Sequence, residues 1–263
     1  MSKLAQRAAA AATLLAPGVL LAQGTPATRP AGPSTAAAAA PAVSVINIDG
    51  RQLRPGTWTY SITATGNGKT QTSTRELSIS PATVNGAAAW LIADGRGEGA
   101  MRVADSLYLT RNDLQPLRHL LRMGPVTMLL NYSKDSVVGT ATLPQGSARI
   151  AAEHKRGAMA SGTMFEVYLR MMPLKTGWKG NVEMSAVGPQ GNVLIPVSIA
   201  VTGEETMTVP AGTFPCYVIS IKGQGTEQKA WVSKNTRDIV KVSALFTQPA
   251  GASFETVLVA KKS

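Results

Sequence analysis

A two-residue period limits what this chain can become. Trp58, Tyr60, Ile62 and Ala64 fall on one side of an extended segment, and Thr57, Thr59, Ser61, Thr63 and Thr65 fall on the other. That is the pattern of a strand with one buried and one wet face. Gly66-Asn67-Gly68 supplies residues that tolerate positive φ, and a Thr-rich segment from Thr70 to Ile79 returns, which predicts a hairpin. Asn85-Gly86 and the stretch from Gly95 to Gly99 punctuate further short apolar runs. Val193, Ile195, Val197, Ile199 and Val201 alternate with Leu194, Pro196, Ser198, Ala200 and Thr202. Pro196 has no amide hydrogen, so that strand belongs at a sheet edge or a bulge. Antiparallel sheet dominates this reading.

The first 22 residues have a different character. Lys3 and Arg7 form a short basic start, Ala8 to Leu21 is apolar, and Leu20-Leu21-Ala22 before Gln23 fits a small-residue cleavage site. This reads as a secretory signal peptide, too short and too well flanked to be a membrane span. No cysteine follows it to carry a lipid anchor. Residues 23–42 are almost entirely Ala, Pro, Thr and Gly, with Arg29 the single charge, and read as a disordered tether. Residues 43–263 read as one β-rich domain. The expectation is therefore an exported protein of the periplasm or extracellular space, with no transmembrane span in the mature chain.

Composition narrows the chemistry. Loss of Lys3 and Arg7 from a chain of charge +11 leaves +9, a sign that favours anionic surfaces. The basic residues are scattered, without the run that marks a polybasic arm. Aromatic residues make up 5 % of the chain, too few for stacking platforms, so nucleic acid is not an expected partner. Cys216 is the only cysteine, which excludes an intramolecular disulfide, and its apolar surroundings from Phe214 to Ile221 mark it as a buried thiol. His119 and His154 lie far apart, and neither His-Glu-x-x-His nor Gly-x-Ser-x-Gly occurs. Glu204 and Glu205 are strand neighbours that point to opposite faces and cannot share a substrate. Spacing alone leaves open a convergence of Glu166, His119 and Glu183. The reading is nevertheless non-enzymatic, without cofactor or metal.

Two features suggest a ligand. Thr163 and Glu166 form a Thr-x-x-Glu capping box, Phe165, Leu169 and Met172 recur at helical spacing, and Pro173 stops the run. A strand through Phe165, Val167 and Leu169 fits the same short segment. Met164, Met171, Met172 and Met184 gather about this segment, and flexible thioethers suit an adaptable apolar cavity. Arg118 and Arg122 alternate along an extended run with Leu117, His119, Leu121 and Met123, which puts two guanidinium groups on one face to hold a phosphate or carboxylate headgroup. The candidate ligand-binding residues are therefore Arg118, Arg122, Met164, Leu169, Met172 and Met184.

One longer pattern carries a resemblance. Gly203-Glu204-Glu205-Thr206-Met207-Thr208-Val209-Pro210-Ala211-Gly212-Thr213-Phe214 makes a hairpin with a bulge, and Trp231-Val232-Ser233-Lys234 with Arg237 to Lys241 makes a second, turning at Asn235-Thr236. With Ser106-Leu107-Tyr108-Leu109, Leu114-Gln115-Pro116-Leu117-Arg118, and Met172-Pro173-Leu174 before Gly177, this ordered set resembles a family of exported bacterial domains of unknown function. That family is similar in fold to periplasmic lipoprotein carriers and receptors. The resemblance implies a mainly β fold, a strongly curved antiparallel sheet that forms an unclosed β-barrel, with one or two short helices on its concave face. It also implies an apolar or amphipathic, lipid-like ligand between sheet and helix. The alternative is a structural or protein-interaction module of the envelope, with an envelope protein as its partner.

Overall fold

The computed structural model describes residues 46, 48–66, 68–97, 102–160, 163–223, 226–246 and 252–262. The leader (residues 1–22) and the tether (residues 23–42) lie outside the described residues. Fifteen strands join one sheet: β1 (Gly56–Gly66), β2 (Lys69–Val84), β3 (Ala87–Arg96), β4 (Val103–Thr110), β5 (Pro116–Met123), β6 (Val126–Tyr132), β7 (Ser136–Leu143), β8 (Gly146–Glu153), β9 (Met159–Ala160), β10 (Lys179–Gly188), β11 (Gly191–Val209), β12 (Gly212–Gly223), β13 (Thr226–Ser233), β14 (Ile239–Phe246) and β15 (Ser253–Lys262). A single helix, α1 (Thr163–Met171), stands between β9 and β10. The strand order runs β8 back to β1, then β15 back to β9, so the sheet is an unclosed, curved barrel. Every pairing is antiparallel except the short parallel contact of β9 with β10.

Alternation decides which face is inside. Trp58, Tyr60 and Ile62 of β1 are 0–3 % exposed while Thr59 and Ser61 between them stay partly wet. Leu77 and Ile79 of β2, Trp90 and Ile92 of β3, and Leu107 and Leu109 of β4 continue the same inner surface. Ile195, Val197, Ile199 and Val201 of β11 face it from the other wall. A smaller cluster of Met128, Leu130, Val137, Ala141 and Ile150 lines β6–β8. Pro196 behaves as its chemistry demands: β11 is an interior strand, but its pairing with β12 begins only at Ser198, so at Pro196 only β10 is paired with it.

Turn chemistry matches the hairpins. Asn85 and Gly86 both take positive φ (50° and 80°), as a two-residue type I′ turn requires. Gly139 is fixed for another reason. A Cβ there would stand 1.9 Å from the Leu129 carbonyl oxygen on the neighbouring strand, so β6 and β7 meet only because this side chain is absent. The hairpin of β11 and β12 carries a register shift between Val201 and Gly203, and its tip docks back on β15, where Ala211 N–H donates to the Leu258 carbonyl at 3.4 Å.

The two free edges nearly meet. After β8 the chain crosses to β9, and here Asn192 Nδ2 donates to the Glu153 carbonyl at 2.9 Å, while Lys155 pairs with Glu183. The seam is thus bridged by side chains rather than by a strand ladder.

Candidate functional site

The segment with two open readings is helical, and α1 lies against the concave face. Phe165, Val167, Tyr168 and Leu169 are 0–8 % exposed within the main core. Tyr168 Oη donates to the Leu114 carbonyl at 2.8 Å. Burial pushes that phenol, like the phenol of Tyr132, above its ordinary range.

Charge also enters this interface. Arg75 has the strand parity of Leu77 and Ile79, and Asp94 that of Trp90 and Ile92, so both point inward. Glu166 and Arg170 stand one turn apart on α1 and reach the sheet from above. Arg75 Nε donates to Asp94 Oδ1 and its Nη1 to Glu166 Oε1, both at 2.8 Å. Burial alone would lower the arginine's pKa, but Glu166 and Asp94 more than offset it, and the guanidinium is held charged. Arg170 Nη2 donates to Tyr60 Oη at 3.1 Å, and its Nη1 lies 3.7 Å from Asp238 Oδ1. Its guanidinium also covers the Trp58 ring at 4.1 Å. Asp238 further accepts from Trp58 Nε1 at 2.8 Å and pairs with Lys261 at 3.0 Å. Burial pushes the Tyr60 phenol up to about 12.

This charged latch is not fully satisfied. Glu166 Oε2 and Arg170 Nε are buried without a hydrogen-bond partner. Glu166 therefore grips the sheet through Oε1, and the Thr163 side chain of the capping-box reading lies outside the described residues. Beyond the latch, Asp105 Oδ1 and His119 Nε2 meet at 2.6 Å on β4 and β5. Glu183 is paired across the seam with Lys155. Glu166, His119 and Glu183 thus answer to three different partners.

The candidate ligand residues separate into two groups. Leu169 and Met172 are 1–2 % exposed in the core, and Met184 packs against that core from β10. The Met164 side chain lies outside the described residues. Arg118 and Arg122 are exposed on β5. They share a face with Leu120, whereas His119 is register-paired with buried Leu107, so the two arginines are on the outer surface, away from α1. Two hollows also lie elsewhere. A groove of about 640 Å³ runs along Thr63, Thr65, Lys229, Ser243, Leu245 and Glu255, and a hollow of about 500 Å³ sits at the seam beside His154, Asn192 and Leu194. Neither is lined by α1. Among the described residues no group of three or more His, Cys, Asp or Glu could hold a metal ion.

The latch had a signal in the sequence. Arg75 and Asp94 are charges at apolar-parity positions of their strands, and Glu166 and Arg170 have four-residue spacing. What the sequence does not show is which strand lies under which helical turn.

With this geometry in view, the sequence profile of the protein of unknown function DUF3108 matches residues 51–252. The chain belongs to that family. Its fold is similar to that of a β-barrel-like protein of the DUF1849 family from Brucella abortus, with 7 % identity, a TM-score of 0.50, and coverage of 82 % of this chain and 98 % of that one. It is also similar to the hypothetical lipoprotein YmcC of Escherichia coli, with 11 % identity, a TM-score of 0.27, and coverage of 80 % and 86 %. A Bacteroides fragilis protein with a YmcC-like fold shows 13 % identity, a TM-score of 0.35, and coverage of 84 % and 100 %. No curated protein matches the sequence. For this DUF3108 chain the comparisons establish family and fold.

Proposed function

We propose that this is a non-catalytic protein of the bacterial envelope that works by holding a partner on its outer surface. The observation that carries this reading is the occupied concave face. Phe165, Leu169 and Met172 fill the space between α1 and the sheet, where an enclosed apolar ligand would have to lie. The titratable groups also support a non-catalytic role: Glu166 and Asp94 are tied to Arg75, and burial pushes the Cys216 thiol up to about 11, far from a reactive thiolate. The leader-like first 22 residues support the envelope. Crosslinking in the native envelope followed by pull-down should recover a partner in fixed ratio, and native mass spectrometry of the purified protein should show no retained lipid. A stoichiometric lipid with no crosslinked partner would reverse the reading.

A second reading, a lipid-like ligand taken up beneath α1, is favoured by the latch itself. Arg75, Asp94, Glu166 and Arg170 can regain hydration if α1 lifts, so beside its apolar packing the helix also has contacts that water can replace. A fluorescent fatty acid should then bind the Glu166→Gln variant more tightly than the parent. Equal, weak binding to both would remove this reading.

A further inference from the structure

Arg118 and Arg122 do not reach the space beneath α1, but they are not isolated. Strand register joins Tyr108, Arg118, Asn131, Val138 and Ala151 in one row across β4–β8, and Ser106, Leu120, Leu129, Thr140 and Arg149 in the next. Arg122 follows in a third row with Thr127, Thr142 and Ser147. Ile150, whose side chain is buried, alternates with Arg149 and Ala151 and fixes these rows as the outer face. Three exposed arginines thus share one surface. The one carboxylate on this face of β4–β8 is Glu153, at the far end of β8.

These arginines differ from three lysines of the other wall. Lys241 pairs with Glu255 at 2.6 Å, Lys222 with Glu227 at 3.2 Å, and Lys234 with Glu204 at 2.5 Å. Among the described residues, the side chains of Arg118, Arg122 and Arg149 form no ion pair or hydrogen bond. Their neighbours are apolar or neutral: Leu120 and Leu129 are partly exposed, and Val138 is 44 % exposed.

Spacing decides what such a face can hold. Four residues along a strand separate Arg118 from Arg122 by roughly 14 Å, and three strand steps place Arg149 about 14 Å from Leu120 between them. The three guanidinium groups cannot converge on one phosphate or carboxylate. Each must take its own anion, which calls for a broad array of anions. Neither hollow described above is lined by these arginines. Leucine and valine between the arginines match the boundary between headgroups and acyl chains.

We propose that the outer face of β4–β8 docks on an anionic lipid bilayer, with Arg118, Arg122 and Arg149 each engaging a headgroup. This rests on the reading that the protein works through its outer surface, and it adds a membrane contact on one face to the protein partner that crosslinking should recover. The purified protein should sediment with vesicles containing phosphatidylglycerol and not with pure phosphatidylcholine, and binding should weaken as salt is raised. R118E/R122E/R149E should bind at least tenfold more weakly. K69E/K222E/K262E makes the same charge change elsewhere and should stay within about twofold of the parent. R118Q/R122Q/R149Q, with an unchanged circular dichroism spectrum, guards against a folding defect and should also weaken binding. Equal losses in the two Glu triples would reduce the effect to net charge and overturn the proposal. Arginine-dependent binding of soluble polyphosphate as tight as that of vesicles would overturn it in favour of a polymer. If vesicles fail while crosslinking still recovers a protein partner, the membrane assignment falls and the outer-surface reading stands. If both fail, both fall.

Discussion

At Gly139 an absence holds two strands together. A Cβ 1.9 Å from the Leu129 carbonyl oxygen cannot be relieved by a rotamer change, because the obstacle is backbone. Gly139→Ala should therefore cost at least about 3 kcal/mol, read as a lower urea midpoint, whereas an ordinary surface Gly→Ala changes stability by less than about 1 kcal/mol. Cys216 shows the opposite case, a reactive group made inert by its surroundings. It is fully buried, and burial raises its thiol to about 11. A maleimide at pH 8 should leave the native protein unlabelled and modify it only in denaturant. Rapid labelling of the folded protein would show that β12 opens far more readily than its packing allows.

Among the elements, α1 stands out because its contacts are mixed. Glu166→Gln weakens one ion pair and leaves Arg75 on Asp94, so the sheet should survive while the helix loosens. Hydrogen exchange should then quicken across Thr163–Met171 and stay unchanged in β1–β4. Uniform quickening would mean that helix and sheet open as one unit. The same helix shows what was legible beforehand. Phe165, Leu169, Met172 and Pro173 pointed to it, since periodicity and a breaker are local properties, but a strand through Phe165, Val167 and Leu169 fitted the same segment until the structure showed the helix. The hairpins were legible for the same reason: Trp58, Tyr60 and Ile62 alternate, and Asn85-Gly86 turns. The latch was not read, because pairing Arg75 with Glu166 requires two segments 91 positions apart to meet. Arg118 and Arg122 were correctly placed on one face, but alternation does not say whether a charged face is the concave or the convex one. That depends on how the whole sheet curls.

For the molecule as a whole, the buried titratable groups define a window of pH. Burial displaces Tyr60 from 10.0 to about 12 and Cys216 from 9.0 to about 11, so both are held neutral in the fold. The stability tied to those neutral forms is complete below pH 9 and is lost as pH rises through the folded values. His154 is displaced the other way, held below 6.5 chiefly by burial. Its contribution is complete above 6.5 and is lost as pH falls through the folded value. The melting temperature should be level between about pH 7 and 8.5 and fall on both sides. A peak at pH 5 would show that the carboxylates, not these groups, govern stability. The strand order has a consequence of its own. Read around the barrel from β1 to β8, over the seam to β9 and on to β15, spatial order is sequence order, and Thr57 lies opposite Lys262. The polypeptide is a ring cut between β15 and β1, and the cut can be moved. Joining Lys262 to Ile46 by a linker, which keeps buried Leu53 and the Gly50 carbonyl that accepts from Trp90, and reopening the chain in the turn between β7 and β8 should give the same sheet, with its new ends beside the seam.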